Sequence, residues 1–141
     1  MIENILHQDP FRFDNKNSLF VDEINKLTMY HYNNCKQYKI ILDTLNFSPS
    51  KNYPLNEIPY LPVRIFKDYD LMSIPEKDIF KIIRSSGTSG QSFSKIYLDK
   101  SNAQQQTKVL AKLVSTILGN KRLPMLVIDC PSTLKNRKNF S

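Results

Sequence analysis

Four prolines, Pro49, Pro54, Pro59 and Pro62, fall within fourteen residues. Each fixes its own φ and lacks an N–H donor, so neither a long helix nor an interior strand can run through this stretch. The chain is therefore divided in two. Tyr53 and Tyr60, set among the prolines, predict an ordered connection anchored by aromatic rings, a structural wrap around whatever precedes it.

Before the prolines the pattern is helical. Ser18 is placed to cap a helix whose apolar residues Phe20, Ile24, Leu27 and Tyr30 recur at helical spacing, with Asp22 and Glu23 near its positive end. A second helix, from about residue 34 to 45, is expected to bury Tyr38, Ile41, Leu42 and Leu45. From residue 79 the pattern changes. Ile79–Arg84 reads as a strand, 85–94 as a glycine and hydroxyl loop, and Lys95–Leu98 as a second short strand. Ser101 with Gln104 three residues on forms a capping-box pattern, and Leu110, Leu113, Val114, Ile117 and Leu118 give the helix one apolar face before Gly119 ends it. Pro124–Cys130 is nearly all apolar, as in a parallel strand covered on both faces. The order strand–loop–strand–helix–strand after a helical start predicts an α/β fold with an incomplete sheet. Residues 1–78 form the helical and proline-rich wrap, and 79–141 the α/β unit.

With 141 residues, one domain or part of one is expected. The longest apolar run, Met125–Ile128, is far short of a membrane span, and the N-terminus lacks the basic and apolar regions of a secretion signal, so the expected location is the cytoplasm. Cys35 and Cys130 form no C-x-x-C pair, and neither they nor His7 and His31 have ligand-spaced neighbours; no metal site is expected. Cys35, on a predicted helix and without a sequence cue for a depressed pKa, reads as a buried structural thiol. Charge is uneven: residues 81–141 hold eleven Lys and Arg against Asp99 and Asp129 alone. Such a field attracts anions. Nucleic acid is disfavoured as the partner, because the aromatics concentrate in the acidic half and no nucleic-acid-binding motif appears. The basic run at 135–138 reads as a solvated segment.

The chemistry concentrates in Ser85-Ser86-Gly87-Thr88-Ser89-Gly90-Gln91-Ser92-Phe93-Ser94, where six of ten residues carry hydroxyls and two of the three glycines in the chain lie three apart. Glycines let backbone N–H groups approach a ligand closely, and hydroxyls donate to anionic oxygens without fixed charge. That suits a polyphosphate. Lys95 directly after the loop can meet a phosphate as a point charge, and Arg84 directly before it adds to the field. The alternative is a flexible Ser/Gly hairpin turn. A Walker A loop is excluded because Gly90 is followed by Gln91 and then a strand, and the dinucleotide fingerprint G-x-G-x-x-G is absent.

The segment Ser86–Gly90 resembles the Ser/Thr/Gly-rich phosphate loop of adenylate-forming enzymes, although Gln91-Ser92-Phe93-Ser94 replaces the usual short link through proline to lysine. Together with Ile58-Pro59-Tyr60-Leu61-Pro62-Val63-Arg64-Ile65-Phe66-Lys67, Leu71-Met72-Ser73-Ile74 and Ser94-Lys95-Ile96, it looks most like the acyl-protein synthetase (LuxE-type) family. The less specific segment His31–Tyr38 is similar as well, and the whole covers roughly 18–141. Phenylacetate-CoA ligase-like enzymes share the loop and are the nearest rival. The resemblance implies an adenylate-forming fold, ATP and Mg2+ as cofactors, and phosphate binding by Ser85, Ser86, Gly87, Thr88, Ser89, Gly90 and Lys95. It implies a fatty acid as substrate: its carboxylate attacks the α-phosphate of ATP, giving acyl-AMP, and the acyl group passes to a cysteine thiolate and on to a reductase partner. Family members are longer, and their adenine pocket, acidic magnesium residue, mobile C-terminal subdomain and acyl-accepting cysteine are expected after Ser141. The chain is therefore expected to be an N-terminal, catalytically incomplete part of such an enzyme.

Overall fold

In a computed structural model of the chain, residues 9, 11, 16–85, 93–124, 126 and 128 are described. Helix α1 spans Lys16–Asn34 and helix α2 spans Lys36–Thr44. They pack against each other across Cys35, the N-cap of α2, whose N–H donates to His31 O at 2.8 Å while its own carbonyl accepts from Lys39 N at 2.9 Å. Leu42 fills the junction and is completely buried. Two expectations change here. Helix α1 already includes Lys16, so Ser18 lies inside it, and the first turn carries no acidic residue for the helix dipole to favour. Leu45 is the C-cap of α2 and largely exposed, because the chain leaves the helix there through Asn46 at φ 56°.

The proline-rich connection contains only single turns, as its sequence requires. A 3₁₀ turn at Leu55–Glu57 follows Pro54, a one-turn helix α3 occupies Ile65–Asp68, and a second 3₁₀ turn at Glu76–Asp78 follows Pro75. Tyr53 is the anchor. Its backbone N–H donates to Asn25 Oδ1 at 2.9 Å and its carbonyl accepts from Asn25 Nδ2 at 2.8 Å, so an amide side chain of α1 substitutes for a strand partner. Its ring stacks on Phe47 at 5.1 Å, and its hydroxyl accepts from Ser48 N at 2.8 Å. Tyr60, the other expected anchor, is 85% exposed.

Strand β1 (Lys81–Arg84) pairs antiparallel with β2 (Lys95–Leu98), Ile82 opposite Tyr97 and Ile83 opposite Ile96. The ladder is lengthened by Phe80 N donating to Leu98 O at 2.8 Å. A single residue, Asp99, links β2 to helix α4 (Lys100–Leu118) and caps it: Oδ1 accepts from Asn102 N at 2.7 Å and Oδ2 from Asn102 Nδ2 at 2.9 Å. The capping role expected of Ser101 thus falls two residues earlier, where the chain first turns and a carboxylate also meets the positive helix end. Gly119 ends α4 at φ 76°, a conformation disfavoured for residues with a Cβ.

The described residues form a helix-rich mixed α/β arrangement with a small two-stranded antiparallel sheet, and most of the expected strand 124–130 lies outside them. Within 124–130, Pro124, Leu126 and Ile128 are described; none is in a strand, and Leu126 and Ile128 are 87% and 92% exposed. The apolar face of α4 is correspondingly open, with Leu110, Val114, Ile117 and Leu118 all exposed. Among the described residues no helix is long and apolar enough to cross a membrane.

Candidate phosphate-binding site

The hairpin determines where the hydroxyl and glycine loop begins and ends. Arg84 pairs with Lys95 in the last rung of the ladder. One step further, Ser85 N donates to Ser94 O and Ser94 N donates to Ser85 Oγ, both at 3.1 Å. Both ends of the loop are thus pinned together, and Ser85 keeps its own O–H as a donor. Ser86, Gly87, Thr88, Ser89 and Gly90 lie outside the described residues, as do Gln91, Ser92, Cys130, His7 and the run 135–138.

Lys95 and Tyr97 are two residues apart on one strand and so share a face of β2. Both bond the same oxygen of Asp70: Lys95 Nζ donates to Oδ1 at 2.9 Å and Tyr97 Oη donates to it at 2.6 Å. The side chains of Lys95 and Asp70 are 39% and 53% exposed, and an ion pair this wet contributes about 0.2–1 kcal/mol. Asp70 is held below the usual carboxylate range, first by the Tyr97 hydroxyl and then by Lys95. The Tyr97 phenol is pushed up to about 12, by desolvation first, then by its hydrogen bond to Asp70 and by the charge of that carboxylate. Lys95 is positioned beside the loop as its sequence position requires, with its charge already matched by a carboxylate.

Asp70 is itself positioned from two sides. It follows α3, which packs on β2, and it precedes Ser73, which α1 holds. Tyr30 Oη donates to the Ser73 carbonyl at 3.3 Å, and His31 Nδ1 lies 2.7 Å from Ser73 Oγ. Partial desolvation of the His31 ring lowers its pKa below the ordinary imidazole value. The end of α1 thus holds Ser73, close along the chain to Asp70, which in turn bonds Lys95 at the stem of the loop. His31, without ligand-spaced neighbours in the sequence, is a part of that support.

Two clefts lie among the described residues, and neither is lined by the loop stem. One, of about 610 Å³, lies between α1 and residues 47–52; the other, of about 700 Å³, lies between Phe80, Lys81 and the first turns of α4. Among the described residues no three His, Cys, Asp or Glu side chains are grouped to hold a metal. Cys35 is 2% exposed, with Sγ 3.8 Å from Gln37 Oε1. Its burial agrees with a structural thiol.

Sequence reasoning singled out Ser85 and Lys95 and missed Asp70 and Tyr97. The spacing of Lys95 and Tyr97 on one strand face was a usable signal for the tyrosine. For Asp70 there was none, since its partners lie 25 and 27 residues away across a proline-rich connection.

A family model described as acyl-protein synthetase, LuxE, matches residues 1–141. No curated protein and no solved structure matches the chain.

Proposed function

The chain belongs to the LuxE acyl-protein synthetase family, and from that membership we propose that it takes part in ATP-dependent activation of a fatty acid as acyl-AMP for transfer to a protein thiol. The observation that carries this reading is the closed stem at Ser85 and Ser94 with Lys95 at its base, in a chain matched by the family over its whole length. A carboxylate oxygen attacks the α-phosphorus, pyrophosphate leaves with the bonding electrons, and a thiolate then displaces AMP from the acyl carbon. Ser85–Gly90 and Lys95 hold the phosphates that depart. Backbone N–H groups, hydroxyls and a lysine aimed at developing negative charge are the means by which such a transition state is stabilised.

Mg2+ fits this donor set as an ion that arrives with the nucleotide. It commonly keeps several waters and is bound by phosphates with only one or two carboxylates, so a three-ligand protein cage is not required. The ion supplies charge neutralisation on the phosphates. Of the carboxylates at the stem, Asp70 is the one close to Lys95.

The acyl acceptor in this reading is not Cys35, whose thiol is buried at the junction of α1 and α2. Residues 1–141 supply the phosphate contact and one wall of a larger cleft, a reading supported by the open apolar face of α4. Exchange of labelled pyrophosphate into ATP, dependent on added fatty acid, tests the reaction without needing the acceptor. Residues 1–141 alone are expected to be silent. Joined to the remainder of a family synthetase they should support exchange, and Gly87→Val should abolish it. Silence from both would favour a non-catalytic phosphate-binding module.

A further inference from the structure

Lys95 lies at the mouth of the proposed phosphate loop, yet its ammonium is bonded to Asp70, and the same Asp70 oxygen is fastened by Tyr97. We propose that Asp70 is the resting counter-ion of Lys95, a positioning residue held by Tyr97, and that an arriving phosphate takes Lys95 from it by exchanging one anion for another. The inference rests on the phosphate-loop reading and goes beyond it in naming what occupies Lys95 before the ligand does.

Geometry makes the exchange feasible. Both partners of the pair are partly exposed, so the bond is weak enough to be displaced, and a phosphate carrying more than one charge outcompetes a single carboxylate. The Tyr97 hydroxyl bonds Asp70 at 2.6 Å and so keeps the carboxylate against Lys95 while the loop is empty; without that bond the carboxylate competes less well for the ammonium. Arg84, opposite Lys95 in the ladder, adds a second positive charge on that rung and favours the incoming anion over the outgoing one. The cost of the arrangement is affinity: every phosphate bound must displace Asp70. The return is a lysine already held beside the loop, without an unpaired charge when the loop is empty.

The test uses inorganic pyrophosphate in metal-free buffer, with binding followed by calorimetry and by amide shifts of Ser85–Gly90. Asp70→Asn removes the competing charge and is expected to tighten binding roughly two- to five-fold, the affinity equivalent of an exposed ion pair. Asp70→Glu should return it to the wild-type value. In a Lys95→Met background, binding is weaker and Asp70→Asn should change nothing further, because the two effects act through one contact. Tyr97→Phe, which frees Asp70 without removing its charge, provides a second variant should Asp70→Asn fail to fold, and is expected to tighten binding by a smaller factor. If Asp70 merely stabilises the hairpin, both variants weaken binding while the loop amides still respond; that result overturns the counter-ion and leaves the loop as the phosphate site. If wild-type loop amides do not respond to pyrophosphate at all, the loop reading fails and the counter-ion fails with it.

Discussion

Ser85 and Ser94 bond each other twice at 3.1 Å, once between backbones and once from the Ser94 N–H to the Ser85 hydroxyl. This pair converts a run of small polar residues into a loop of fixed span. Replacing Ser85 by Ala removes only the second bond, at an exposed position where its loss costs about 0.5–1.5 kcal/mol or less. Hydrogen exchange at Ser94 is expected to accelerate while global stability falls little, and phosphate affinity should fall with it. Unchanged Ser94 protection would show that the hydroxyl does not hold the stem.

Asn25 carries the connection between the helical pair and the proline-rich segment through its two bonds to Tyr53. Asn25→Ala leaves the Tyr53 N–H and carbonyl without these partners in a part-buried setting, and a loss of about 1–3 kcal/mol is expected. Urea unfolding should show a lower midpoint with an unchanged slope. A change below a few tenths of a kcal/mol would mean that the Tyr53–Phe47 stacking alone fixes the wrap.

His31 has its pKa lowered by partial desolvation, so the folded state favours the neutral ring. The unfolded chain then binds more protons between the lowered value and about 6.5, and stability rises with pH through that window. Acidification from about pH 7 to about pH 5 should lower the melting temperature modestly. His31→Gln should flatten that part of the profile; an undiminished slope would assign it to other groups.

The Tyr97 phenol, pushed up to about 12, should be among the last to ionise in an alkaline titration followed by phenolate absorbance. Its folded value is raised, so its contribution to stability is complete below the ordinary tyrosine value of about 10 and is lost as pH rises toward 12. Tyr97→Phe removes this late component. Asp70→Asn should lower it, since the Asp70 charge is one of its causes.

The elements legible in the sequence are those fixed by neighbours along the chain. Two short apolar runs around a glycine-bearing loop marked the two strands, though not their antiparallel pairing, and Gly119 marked the end of α4. The cap was misplaced because β2 passes into α4 through one residue, leaving Asp99 to serve as both connection and cap. Of the run at 124–130, read as a strand from apolarity alone, residues 125, 127, 129 and 130 lie outside the described residues. Asp70 carries no local mark: only the folding of α3 against β2 brings it to Lys95. Ser85 and Lys95 were identified from the chemistry of the loop, whereas the residues that hold Lys95 needed three dimensions.

The most direct measurement is an amide NMR titration with Mg-ATP. The account predicts saturable shifts at Ser85–Gly90 and at Lys95, with both lost in Gly87→Val, where a side chain bars close approach of the phosphate to the backbone. Saturation that perturbs amides elsewhere and leaves Ser85–Gly90 and Lys95 unmoved would contradict it.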